Sequence, residues 1–327
     1  MPELLSLDQI RAAARRIAGV ARVTPLFEVR ELSAWGGQAD VPLFLKCENL
    51  QVGGVFKTRG AYNMASALPE SARRAGLLTY SSGNHGLAIA LTARRLGVPA
   101  VIVMPTTAPA VKVEGARALG AEVLFEGTTT IERKARAEKI AAERGMTIVP
   151  PFDHIEIAAG QGTIGLEIVE QCPTVATVYV QMSGGGLIAG VATALKRSNP
   201  SITVVGVEPT GVARMTASLA AGHPVTVPIS MGIADGLLAV RPGELTFPHV
   251  QAFVDRVMTI DDAAIIEAMK WLFRHAKVVA EPSGAITVAA VMADAAAGRV
   301  DPRGPVVALI SGGNVEPEQF ARYLASA

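Results

Sequence analysis

From Val41 almost to the end of the chain, short apolar runs alternate with longer stretches in which apolar positions recur at helical spacing. Runs of the first kind suit strands buried on both faces, and stretches of the second kind suit helices with one apolar stripe. Their alternation predicts parallel strands joined by crossover helices. The predicted strands cover 43–46, 77–80, 100–104, 122–125, 147–149, 177–181, 203–207 and 306–310. Ahead of them, Ser6 and Gln9 form the two ends of a capping box that opens an amphipathic helix.

The stretch from about residue 70 to about residue 150 holds a compact βα set of its own. The expected organisation is therefore a small domain, 71–149, inserted into a large one made of 1–70 and 150–327, with the active site in the cleft between them. The fold class is α/β, with two open, mainly parallel sheets flanked by helices. No solenoid-period repeat, low-complexity tract or long Gly/Ser linker interrupts it. Because the given sequence ends soon after Ser311–Asn314, no added C-terminal effector-binding domain is expected.

Composition narrows the function. Half of the 327 residues are apolar, 18% are charged and the formal net charge is +1, so no field draws in nucleic acid or an anionic membrane, and the expected partner is a small molecule. Cys47 and Cys172 fit neither a disulfide framework nor a zinc pattern. The N-terminus lacks the basic-then-apolar order of a signal peptide, and no apolar run is long enough to span a bilayer. The expectation is a soluble, unprocessed, cytoplasmic protein.

Candidate chemistry gathers where predicted strands run into Gly-rich turns, the place where open α/β sheets bind ligands. In GGVFKTRGA, Lys57 follows Gly53, Gly54 and Phe56 at the start of a helix. A helix N-terminus and burial against Phe56 both disfavour an ammonium and favour the neutral amine that attacks an aldehyde. Taken alone, this could equally be a surface lysine opening a helix. SGGGL, Ser183 to Leu187, offers successive backbone amides and a helix N-terminus to a phosphate, although tight strand–helix packing would explain the glycines as well.

SSGNHG offers Ser81, Ser82 and backbone amides at another helix start to a carboxylate, while Asn84 could donate to a phenolic oxygen. One of the serines could instead simply cap the helix. His85 reads as a structural donor, since no partner lies at metal-ligand spacing beside it. Ser311 in SGGN could face a ring nitrogen, or could merely sit in a turn.

These motifs, together with PPFDH, AAGQGTIGLEI, GVEP, ADGL, VRPGELT and VVAEPSGA, occur in the order seen in the fold type II pyridoxal-phosphate enzymes. Over nearly its whole length the chain resembles the threonine dehydratase and serine racemase group, whose fold is tryptophan synthase β-like. The resemblance implies pyridoxal 5′-phosphate carried by Lys57 as a Schiff base, with Phe56 near the ring and Asn84 on its 3′-hydroxyl. It places Ser183, Gly184, Gly185, Gly186 and Leu187 on the phosphate and Ser311 at the pyridine nitrogen. Ser81, Ser82, Gly83, Asn84 and His85 would take the substrate carboxylate, with Ser82 on the ring face opposite Lys57. A homodimer is also implied.

The implied reaction is β-elimination from a 3-hydroxy amino acid, catalysed by Lys57, giving a 2-oxo acid and ammonia. A serine at the ring nitrogen leaves that nitrogen largely unprotonated, which disfavours a long-lived carbanion and favours prompt elimination. Serine racemisation, with Ser82 supplying a proton, and hydroxyaspartate dehydration are the alternatives. Phe152 and Leu237, with Leu238 and Ala239, would lie near the substrate side chain and favour threonine or phenylserine over serine, unless the leucines face the core. Arg133 falls in the substrate-facing region.

Two departures from the family pattern stand out. Ser183 opens the phosphate loop where glycine is usual. At the site where some relatives hold a divalent cation, Glu208 is present but Arg214 replaces an aspartate, so no Mg²⁺ or Ca²⁺ is expected and Arg214 could pair with Glu208.

Overall fold

The computed structural model describes residues 3–29, 41–81, 83–108, 110–228 and 230–326. Among these, ten strands form two sheets. The larger has the order β1-β2-β10-β7-β8-β9, with β1 Leu26–Val29, β2 Leu43–Cys47, β7 Thr177–Gln181, β8 Thr203–Pro209, β9 Arg256–Ile260 and β10 Val306–Ile310. The smaller has the order β5-β4-β3-β6, with β3 Leu77–Thr79, β4 Ala100–Met104, β5 Glu122–Phe125 and β6 Thr147–Ile148. All pairings are parallel except β1 against β2, where Leu26 faces Lys46.

The helices are α1 Leu7–Ile17, α2 Lys57–Ala67, α3 Glu70–Ala75, α4 Asn84–Leu96, α5 Ala110–Ala118, α6 Thr130–Arg144, α7 Ile155–Gln171, α8 Gly186–Ser198, α9 Arg214–Ala221, α10 Thr246–Phe253, α11 Asp262–Trp271, α12 Pro282–Ala296 and α13 Pro317–Ala325. The capping box at Ser6 and Gln9 is formed.

Alternation along the central strands divides the large sheet's two faces. Val306, Ala308 and Ile310 of β10 join Ile286, Ala289 and Ala290 of α12, while Val307 and Leu309 join Ile188, Val191 and Leu195 of α8. Because both faces are covered, these strands read as continuous apolar runs. The small sheet is also covered twice, by α2, α4 and α5 on one face and by α6 on the other. Helix α2 precedes the boundary expected at residue 70, yet its Ala61, Met64 and Ala65 share a core with Leu77, Ala88 and Ile102.

Two strands lie outside the predicted set, β1 and β9. Both are edge strands with mixed exposure along their length, so neither has the apolar run that marks the buried ones. The C-terminal ends of β3, β7 and β10 open onto one cavity of about 710 Å³.

Candidate active site

Lys57 is the first residue of α2, and the turn before it explains both glycines. Gly53 and Gly54 have φ of +81° and +71°, and a Cβ on Gly54 would lie 2.3 Å from Asn314 Oδ1. Val55 then bridges to Gly312 and the Phe56 amide donates to the Ser311 carbonyl at 3.1 Å, which ties the start of α2 to the end of β10. Two residues into the helix, Arg59 is fully buried and donates to Glu48 and Glu167. Lys46 completes a closed set of two cations and two carboxylates by donating to Glu167.

The Lys57 side chain reaches into the cavity and donates to the Pro151 carbonyl at 2.8 Å. No carboxylate forms an ion pair with it among the described residues. Burial lowers its pKa to about 8, and the more distant Glu281 only partly opposes that shift. Its nitrogen is 5.0 Å from the Phe56 ring centroid. The chain therefore places a partly neutral amine in the cleft, as nucleophilic chemistry requires.

Across the cavity, β7 runs through Met182 and Ser183 into α8, with Gly185 at φ +100° as N-cap. The Gly184 carbonyl is taken by Thr246 Oγ1 at 2.6 Å and the Gly243 amide at 3.0 Å. Among the described residues, no acceptor takes the backbone N–H groups of Gly184, Gly185, Gly186 or Leu187. A Cβ on Gly184 or Gly186 would lie 2.5 and 2.9 Å from Phe152. Four free donors at a helix N-terminus, three of them on glycines, fit a phosphate. Ser183 Oγ accepts from the Ala239 amide at 3.4 Å.

At the end of β3 the cavity wall is built from Ser81, Gly83, Asn84 and His85; Ser82 lies outside the described residues. Gly83 is the N-cap of α4 and no side chain caps that helix, so Ser81 is not spent on capping. His85 is buried, its Nε2 meets the Val149 carbonyl at 2.9 Å, and burial lowers its pKa to about 3. It is a neutral structural imidazole.

Asn84 donates through Nδ2 to both oxygens of Glu281 at 2.9 and 3.0 Å and accepts from Asn314 Nδ2 at 2.9 Å. Glu281 was not singled out from the sequence. The Glu-Pro pair before an apolar run signals a helix start, with Pro282 at its first position, but nothing local says that the carboxylate turns into a cleft. Ser311 is buried on the cavity wall, and its hydroxyl donates at 3.4 Å to the Ser283 carbonyl. Nearby Gln181 donates through Nε2 to Gly284 and Leu309 carbonyls, and its buried Oε1 has no partner among the described residues.

The remaining wall mixes apolar and basic groups. Leu237 is buried within the large-sheet core, and with half-buried Leu238 it borders the cavity. The Phe152 ring packs against the Gly184–Gly186 loop. Arg133 lines the opposite side and donates to Tyr80 O, Thr128 O and Thr130 Oγ1, all neutral oxygens. Lys112 of α5 reaches Asp235 at 3.6 Å.

Arg214 is fully buried, but its main partners are carbonyls. The guanidinium donates to Met182, Ser183 and Val212, while its Nε lies 3.9 Å from Glu208. Glu208 instead accepts from the Met215 and Thr216 amides and the Thr216 hydroxyl at the start of α9. The two groups are neighbours more than an ion pair. A cation is thus already built in among carbonyls behind the phosphate loop. Among the described residues, no three His, Cys, Asp or Glu side chains converge as metal ligands.

Over most of its length the chain is similar to known proteins. A protein-family model described as "Pyridoxal-phosphate dependent enzyme" matches residues 17–312. The chain is 41% identical to the L-threonine ammonia-lyase of Thermotoga maritima, over 98% of this chain and 78% of that protein. It is 38% identical to the L-threo-3-hydroxyaspartate ammonia-lyase of a Pseudomonas species, over 98% of this chain and 99% of that protein. The structure of maize serine racemase superposes with a TM-score of 0.92 at 39% identity, covering 98% of this chain and 97% of that one.

Proposed function

The chain belongs to the pyridoxal-phosphate dependent enzymes, and on that premise we propose that it eliminates water from a 3-hydroxy amino acid, threonine or serine foremost, and that hydrolysis of the resulting imine gives a 2-oxo acid and ammonia. One observation carries this reading: the lowered-pKa amine of Lys57 and the four free amides of Gly184–Leu187 border the same cavity.

Pyridoxal 5′-phosphate, when bound, supplies a conjugated ring that takes up the electrons left at the substrate's α-carbon. Lys57 would carry it covalently, Gly184 to Leu187 with Ser183 would hold its phosphate, Asn84 would meet the phenolic oxygen, Ser311 the ring nitrogen and Phe56 the ring. The four amides without an acceptor and the unpartnered Gln181 oxygen, all on residues that line the cavity, supply polarity that suits such a group.

Ser81, Gly83, Asn84 and His85 would receive the substrate carboxylate at the N-terminus of α4. Lys57, freed when the substrate amine takes its place, is the base for the α-proton, and a pKa near 8 keeps a useful fraction of it neutral. The resulting Lys57 ammonium can return that proton to the departing β-hydroxyl. Water leaves, and the electrons of the broken Cα–H bond end in the Cα–Cβ double bond. The released enamino acid tautomerises to an imine, which takes up water and yields the 2-oxo acid and ammonia. A hydroxyl at Ser311 gives the ring nitrogen no carboxylate to keep it protonated, which favours prompt expulsion of the leaving group.

The likeness to serine racemase keeps inversion as a second reading, with Ser82 as the proton donor on the far face. The test is a panel of L-threonine, L-serine, phenylserine and 3-hydroxyaspartate, assayed for 2-oxo acid, ammonia and inverted amino acid. 2-Oxo acid and ammonia in equal amounts support the lyase, whereas inverted amino acid alone would replace it with the racemase. We further propose a large domain of 1–70 and 150–327, a small domain of 71–149, a homodimer and a cytoplasmic setting. No described helix is long and apolar enough to cross a membrane.

A further inference from the structure

None of the roles above uses Glu281, although its carboxylate is buried in the cavity wall. It precedes Pro282 at the N-terminus of α12, where the helix dipole favours an anion, and only 3% of it is exposed. No basic side chain forms an ion pair with it among the described residues. Its contacts are the Asn84 amide and the backbone N–H of Asn314. The charged groups that face it are Lys57 on α2, Lys112 on α5 and Asp235 on the loop before Leu237.

This contact fixes which way the Asn84 carboxamide points. An ionised carboxylate only accepts, so it takes Nδ2. On the other side Asn314 Nδ2, itself donating to the Gly53 carbonyl at 2.8 Å, donates to Asn84 Oδ1. Turning the amide over would set an oxygen against a carboxylate and an NH₂ group against an NH₂ group. Both Glu281 oxygens lie at similar distances from Nδ2, a geometry in which one hydrogen shared between them frees the second for the cleft.

We propose that Glu281 is a positioning residue: its ionised carboxylate locks the Asn84 amide so that the second N–H is presented to the cofactor's phenolic oxygen and keeps the proton off it. That proton then resides on the nitrogen contributed by Lys57, which makes the adjoining carbon more electrophilic toward the substrate amine. The inference rests on the reading that Asn84 meets the phenolic oxygen. Burial pushes the Glu281 carboxyl up to about 7, against the pull of Asn84, so the lock engages over the upper part of the neutral range.

The experiment is absorbance spectroscopy of the holoenzyme, comparing the visible form, in which the phenolic oxygen is deprotonated, with the near-ultraviolet form, in which it carries the proton. Glu281→Gln can present its own N–H to Asn84 and release the lock. The expected result is a fall of about tenfold in the ratio of visible to ultraviolet forms, the size of one charge-assisted hydrogen bond, with cofactor affinity within about threefold of wild type. Asn314→Ala, which removes the other side of the clamp, should shift the ratio in the same direction and serves if Glu281→Gln does not fold. A wild-type ratio in the variants, beside a wild-type visible band that Lys57→Ala abolishes, overturns the Glu281 assignment alone. Absence of that band from the wild-type holoenzyme overturns the underlying cofactor reading as well.

Discussion

Lys57 Nζ donates to the carbonyl oxygen of Pro151 at 2.8 Å, so the first residue of α2 is held by the segment that follows β6. The acceptor is neutral. With no carboxylate at contact distance among the described residues to stabilise the ammonium, desolvation prevails and the pKa falls to about 8 from 10.5.

That shift sets the pH dependence of cofactor loading. At pH 7.5 a group with pKa 8 is about one-quarter neutral, whereas one at 10.5 is about one-thousandth neutral. The neutral amine grows as pH rises, so the rate at which apoenzyme takes up pyridoxal 5′-phosphate should climb from pH 6.5 and level off above about 8. Stopped-flow absorbance would show this; a rate still climbing tenfold per pH unit at pH 9.5 would mean that Lys57 is not desolvated as described.

The loop Gly184–Gly186 has no space for a side chain on the Phe152 side. Gly186→Ala puts a methyl group 2.9 Å from the Phe152 backbone, so the loop must move and its amides lose their convergence. Cofactor affinity measured by fluorescence titration should drop at least about tenfold, with the circular dichroism spectrum retained. Unchanged affinity would place the phosphate elsewhere.

Arg214 supplies a fixed positive charge behind the same loop, held by the Met182 and Ser183 carbonyls. Turnover should be indifferent to EDTA and to added Mg²⁺. Arg214→Met leaves those carbonyls unpaired, and it should cost at least about 2 kcal/mol of stability in urea titrations and weaken cofactor binding. Loss of activity in EDTA, restored by Mg²⁺, would contradict this.

Arg59 joins Glu48 and Glu167 beneath α2. Removing it as Arg59→Met strands the buried Glu48 carboxylate and leaves Glu167 with Lys46 alone, and chemical denaturation should register a loss of about 3–5 kcal/mol. Burial pushes the Glu48 carboxyl up, but Arg59 outweighs that and leaves it below its ordinary value. The stabilisation is therefore present above the unfolded-state pKa of 4.5 and lost as pH falls through the lower folded value. The wild-type melting temperature should show that acid limb, and the variant should not.

Among the described residues Arg133 donates to the neutral oxygens of Tyr80, Thr128 and Thr130, so its charge is available to an acidic substrate side chain. For Arg133→Met we expect kcat/KM for 3-hydroxyaspartate to fall about tenfold and that for threonine to stay within about twofold. Equal losses for both would mean that the residue only supports the Ser81 segment through Tyr80.

Sequence alone settled what depends on neighbours in the chain. The strands 100–104, 177–181 and 306–310 are residue for residue the observed β4, β7 and β10, because strands covered on both faces are predominantly apolar, and 122–125 matches β5 although that edge strand is exposed at both ends. The turn before Lys57 and the glycines before α8 are also local, since backbone conformation and close approach dictate them. The edge strands β1 and β9, half exposed, carry no such mark.

What only the tertiary structure decided are relationships between strand ends and helix starts far apart in the chain. Glu281 meets Asn84 across 197 residues because two helices begin on the same cleft. Arg214 binds carbonyls 31 and 32 residues earlier because β7 and β8 are neighbours. Leu237 is buried in the large-sheet core at the cavity's edge. A side chain's type limits what it can bond, but its partner is set by which backbone ends the sheet order brings together, and that order is not written in any one segment.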